Sequence, residues 1–143
     1  MSLLGNQLYL TGRTAFAEGS INWLSGSIFA CLVHNSSGGT SYTPNFTTDQ
    51  FLSIIPSAAI IAAGQQIPST TVTNGVCNGG SVLFSSVATA PQIDAIVIYN
   101  STGTAGTSQL IAWIDTGANL PIVPNGGSIT ITWDTGVNKI FTL

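Results

Sequence analysis

Two Asp-Thr-Gly triplets, Asp115-Thr116-Gly117 and Asp134-Thr135-Gly136, are the residues here whose types and spacing come nearest to catalytic chemistry. Aspartic proteases place such a triplet after a hydrophobic strand, so that two carboxylates share one proton. The stretch AWIDTGAN around Asp115 looks superficially like a retroviral-type protease loop. Three features oppose that chemistry. Trp113 and Trp133 stand just before the triplets, where a tight dyad needs smaller aliphatic residues. The triplets are 19 residues apart, too close to be equivalent loops of two lobes. Only 28 residues follow Asp115, and they lack the hydrophobic-hydrophobic-Gly support such a protease needs. Each triplet is therefore expected to end a strand in a turn, its aspartate accepting from backbone donors.

Other groups offer less. His34, the sole histidine, is followed by Asn35 and Ser36. A nucleophilic triad needs a base held against its nucleophile, and nothing in the spacing provides that, so His34 reads as a polar residue at a strand end. One histidine and two cysteines outside any Cys-x-x-Cys pair make no metal cluster. Cys31 and Cys77 read as small buried hydrophobes, with a disulfide between them left open. The glycine-containing runs 36–39 and 102–106 match no phosphate-cradling pattern and have no following lysine. The carboxylates at 18, 49, 94, 115 and 134 form no visible acid/base pair. No catalytic residue, metal or cofactor is expected, and the chain reads as a non-enzyme.

The scarcity of charge is more informative. Seven of the 143 residues are Lys, Arg, Asp or Glu, about 5% where an ordinary domain carries roughly 25%. Neutral polar residues stand in their place: 18 Thr, 16 Ser, 16 Gly and 10 Asn. Disorder is excluded, because disordered chains combine high charge with low hydrophobicity. Nucleic acid is excluded as a partner, because phosphate binding needs several cations and only Arg13 and Lys139 are present, at a net charge of −3. Membrane binding is not expected either. The longest nearly apolar run, Phe51 to Ala63, is broken by Ser53, Pro56 and Ser57, and a spanning helix needs about 20 residues. The N-terminus lacks a basic region and a cleavage site, so no signal peptide is read there. Few lysines and glutamates also leave sheet edges without their usual protection. Such a surface favours being covered by copies of itself or by a larger lattice.

Alternating Thr, Val and Ile separated by Gly, Asn and Pro predict an all-β chain of one domain. Strands are expected at Ser27–Val33 (buried on both faces), Thr70–Val76, Ser81–Val87, Ile93–Tyr99, Gln109–Asp115, Ser128–Trp133 and Lys139–Leu143. Asn78-Gly79-Gly80 predicts the hairpin between the second and third of these. Asp49–Ile55 suits a helical turn or a strand equally. Six or seven short strands at such spacing suggest an antiparallel β-sandwich of jelly-roll type. Residues 1–26 form the exception, an N-terminal arm with a short helix expected over Gln7–Glu18 and stopped by Gly19.

The segments TVTNGV (71–76), 95–143 from AIVIYN to KIFTL, GRTAFAEGSINW (12–23) and FLSIIP (51–56) resemble a family of small tailed-bacteriophage structural proteins. Typical relatives are more charged around 12–23, where this chain retains Arg13 and Glu18. The resemblance implies a virion protein on the capsid surface, a head decoration or cement protein clamping capsomers from outside. Its implied partners are the major capsid protein and itself, as a dimer or trimer. Another virion part (tail tube, head completion or fibre) is the alternative. A carbohydrate-binding sandwich using Trp23, Trp113 or Trp133 as stacking platforms is a third reading. The apolar residues of the arm exceed what one short helix can bury, so Leu3, Leu4, Leu8, Tyr9, Leu10 and Trp23 are expected in the interface.

Overall fold

A computed structural model describes residues 5–117 and 119–143. Among the described residues the chain is mostly β with one short α-helix, and the strands form three antiparallel sheets. The central sheet has the order β1-β8-β7-β2-β3. It is built from β1 (Gln7–Leu8), β2 (Ile28–Val33), β3 (Ile60–Gln66), β7 (Ala95–Asn100) and β8 (Gln109–Ile114). A second sheet, β10-β5-β4, joins β4 (Thr71–Thr73), β5 (Val76–Asn78) and β10 (Phe141–Thr142). The third pairs β6 (Val82–Phe84) with β9 (Ile129–Ile131).

Side chains alternate across a strand, and in β2 and β7 both sets are buried. Ile28, Ala30, Leu32, Ile96 and Ile98 face a core completed by Cys77, Val82, Phe84, Ile131 and Phe141 of the smaller sheets. Cys31, Val33, Ala95, Val97 and Tyr99 face a second core, closed by Tyr9, Tyr42, Ile55 and Ala59. The near-continuous apolar run expected to be buried on both faces is thus the middle of the molecule. One face of the central sheet is covered by strands together with Ala15, Phe16, Ile21 and Trp23 of the N-terminal arm. The other is covered by the irregular segment 34–59.

The helix α1 (Leu10–Ala17) is shorter than the periodicity suggests, because Gln7 and Leu8 pair with Trp113 and Ala112 as strand. It stops as expected, with the Gly19 N–H returning to the Phe16 carbonyl. Gly12 sets its depth: a Cβ there would lie 2.4 Å from the Leu110 carbonyl oxygen, so only glycine lets the helix press onto β8.

The expected hairpin at Asn78-Gly79-Gly80 is not formed; that segment leads from β5 into a different sheet. The tight turn is Asn74-Gly75, with φ of 52° and 79°, joining β4 to β5 in register Thr73↔Val76. Two successive positive φ values are what a two-residue hairpin turn requires. The ambiguous stretch 49–55 is both things: Phe51 bridges to Gln109, and Leu52–Ile54 makes a 3-10 turn ahead of Pro56. Strand β3 has no counterpart among the expected strands.

Candidate functional site

The carboxylates were the first candidates for chemistry, and the fold uses them as anchors. Asp94 is fully buried. Its Oδ2 accepts from the Asn35 N–H at 2.6 Å and the Ser36 hydroxyl at 3.0 Å. Its Oδ1 accepts from the Gln92 side chain at 2.5 Å, and His34 Nδ1 lies 3.2 Å from Oδ2. His34 is equally buried, with Nδ1 also 2.7 Å from the Gln92 carbonyl. A serine, a histidine and an aspartate therefore meet, but the hydroxyl donates to the carboxylate and not to the imidazole. The cluster ties the start of segment 34–59 to the strand end before β7.

A second carboxylate ties the same segment further along. Asp49 accepts from the Tyr42 hydroxyl at 2.7 Å and the Asn45 N–H at 2.8 Å. The Tyr42 hydroxyl is in turn 2.9 Å from that of Tyr9. Burial raises both phenols well above their ordinary range; Tyr9 and Asp49 push Tyr42 further up, whereas the hydrogen bond with Tyr42 partly offsets the rise at Tyr9. Nothing in the sequence spacing marks either knot, since His34 and Asp94 are held together only by the pairing of β2 with β7.

The Asp-Thr-Gly triplets do not form equivalent halves of a dyad. Asp115 is buried, and its N–H and that of Thr116 donate to Asn6 Oδ1 at 3.0 and 3.1 Å. Asp134 is exposed and accepts from the Gly136 N–H at 3.0 Å, in the turn expected of it. Cys31 and Cys77 are both buried and free. Burial pushes their thiols up to about 12 and about 11. Among the described residues no group of three or more His, Cys, Asp or Glu could hold a metal ion. No helix among them is long and apolar enough to cross a membrane.

The expected interface residues divide. Leu3 and Leu4 lie outside the described residues. Leu10 is 48% exposed on α1, and Leu8 is half-buried. Tyr9 and Trp23 are corrected: both are core residues of this chain. Tyr9 is drawn inward because its N–H donates to the Ile111 carbonyl as β1 pairs with β8. Trp23 donates from Nε1 to the Asn78 carbonyl at 2.9 Å and packs edge-on against Phe141. The arm buries more than one helix can, because part of it is strand. Trp113 and Trp133 are buried as well, Trp133 donating to the Gly80 carbonyl. None of the three tryptophans offers an open ring face for stacking on a sugar.

The exposed surface contributed by residues 50–93 is uncharged and partly apolar. Between Asp49 and Asp94 no residue carries a charge. That stretch supplies two edge strands, β3 and β4, and the exposed side chains Ile54, Val72 and Leu83. All three residues of β4, Thr71-Val72-Thr73, are exposed. Proteins normally guard such edges with lysine, proline or a bulge; the register of β3 against β2 shifts twice, as a bulge does, whereas β4 pairs in unbroken register and carries neither charge nor proline. Strand β3 is not legible in the sequence because Ile60–Gly64 merges with the apolar run before it, whereas β4 falls within the expected strand 70–76 without its turn being recognised. The signal that could have placed β4 is Asn74-Gly75, hidden inside one expected strand. No protein-family model matches the chain, and no curated protein matches it.

Proposed function

We propose that this chain is a bacteriophage head decoration protein, which binds the outside of the capsid lattice and stabilises capsomer junctions. The charge-free stretch between Asp49 and Asp94, with its fully exposed edge strand β4, carries this reading. An exposed edge with no charge to repel a neighbour is a liability in free solution and an asset in a lattice. Exposed Ile54, Val72 and Leu83 add apolar area to the same stretch. The resemblance of segments 12–23, 51–56, 71–76 and 95–143 to small tailed-phage structural proteins supplies the particle. The jelly-roll type of sandwich belongs to this same proposal. So do the partners, the major capsid protein and further copies of the chain.

Contacts of this kind lack ion pairs for salt to screen, and repetition over a shell multiplies weak contacts into durable occupancy. The test introduces charge where there is none. Leu83→Lys and Val72→Lys, both at exposed sites, should leave the fold intact and remove the protein from capsids. Wild-type occupancy, read by densitometry of purified particles, should survive molar salt. Undiminished occupancy of both variants refutes the reading, and a copy number of tens rather than hundreds moves the protein to the tail. Removing the first ten residues would not be a clean test, because it would take Tyr9 out of the core.

A further inference from the structure

The helix α1 presents a surface that no other described residue covers. Gly12 and Ala15 are buried against the core, and Phe16 is half-buried beside them. At about 100° per residue, the opposite face is a stripe of Leu10, Thr14 and Ala17. All three are exposed. Arg13 and Glu18 flank this stripe, each about 70° from its centre and on opposite sides. Glu18 keeps helical backbone angles at φ −79° and ψ −9°, so the geometry extends to it. Among the described residues, neither Arg13 nor Glu18 forms an ion pair.

This is the pattern of half a parallel coiled-coil seam. Leu10, Thr14 and Ala17 fall on the d, a and d positions, Arg13 on g, and Glu18 on the following e. The residues that must point away from such a seam, Gly12, Ala15 and Phe16, are the ones turned to the core. We infer that α1 is the contact between two copies of this chain, which meet with helices parallel about a two-fold axis. In that arrangement Arg13 of each copy faces Glu18 of the other, giving two ion pairs from two of the chain's few charges. An antiparallel arrangement would set Arg13 against Arg13 and Glu18 against Glu18, so the charges select the direction. Thr14 and Ala17 are small enough for close approach, and Leu10 supplies the apolar anchor. The grooves of about 620 and 510 Å³ on either side of the helix leave room for the second copy's side chains.

The inference rests on the assembly reading only in taking this surface as one that is covered, and its test is separate. Sedimentation equilibrium of the full chain should show a dimer. Arg13→Glu and Glu18→Arg should each weaken it roughly tenfold or more, since two attractive contacts become repulsive. The double reversal should restore it. Both side chains are exposed and outside the core, so thermal unfolding monitors that each variant folds. A monomeric wild type at high micromolar concentration, single reversals that leave the dimer unchanged, or a double reversal that fails to restore it would each overturn the inference. Capsid occupancy of Leu83→Lys is read independently, so a lost dimer and a lost capsid contact are told apart.

Discussion

The two faces of the central sheet are buried equally well by different means. On one face β2 and β7 meet other strands, and closure is apolar: Leu32, Ile96 and Ile98 against Val82, Phe84 and Ile131. On the other they meet an irregular segment, which must find partners for backbone groups that no sheet satisfies. Closure there depends on polar knots, Asp94 at one end and Asp49 with Tyr42 and Tyr9 further along. Burial of apolar area is non-directional and tolerant. A knot of buried hydrogen bonds is specific, and it fails when one member changes.

Alkali should separate the faces most strongly. Tyr99 and Cys31, on the segment-covered face, are pushed by burial to about 12 from ordinary values of 10.0 and 9.0. Cys77, on the strand-covered face, rises to about 11. Above its ordinary value each group ionises in the unfolded chain but stays protonated in the folded one. The unfolded state then binds fewer protons, and stability falls as pH rises. Their contribution is intact below about pH 9 and is lost through about 11 to 12, at about 1.4 kcal/mol per unit for each group. Urea unfolding at successive pH values should show a steep loss above pH 9, and Cys31→Ala should flatten its onset. An unchanged midpoint up to pH 11 would contradict this burial.

Substitutions should then divide by mechanism. Leu32→Ala, in the apolar closure, should cost about 3 kcal/mol as a cavity and raise hydrogen exchange across the whole sheet. Asp94→Asn keeps the volume but turns donors toward donors, at a cost of about 2 kcal/mol. Its effect on exchange should concentrate in residues 34–48. Equal exchange changes in the two variants would erase the distinction between the faces. Tyr42→Phe is the mildest, about 1 kcal/mol, and should loosen the Asn45–Asp49 turn while leaving β6 and β9 unaffected.

Much of the strand content was legible. Residues 27–33, 93–99 and 109–115 read as strands because they are largely apolar and rich in Ile, Val and aromatic residues, and β2, β7 and β8 occupy those places. Ile129, Ile131 and Trp133 alternate with exposed threonines, as their spacing predicts. The errors share one cause, which is that local patterns do not say what pairs with what. Asn-Gly occurs at 74–75 and Asn-Gly-Gly at 78–80, and only the first closes a hairpin. Tyr9 and Trp23 carry the same apolar signal as Leu10, yet pairing of β1 with β8 turns Tyr9 in while α1 leaves Leu10 out.

The sequence alone determined the poverty of charge, the all-β character, the turn at Asp134-Thr135-Gly136, and the buried run of β2. These are properties of composition and short-range spacing, and they survive any arrangement of the strands. Only the tertiary structure decided that His34 and Asp94 meet, that one sheet face is closed by a tethered loop, and that the uncharged edges are exposed. Those depend on contacts between residues far apart in the chain, and hydrophobic periodicity leaves the partners of such contacts unspecified.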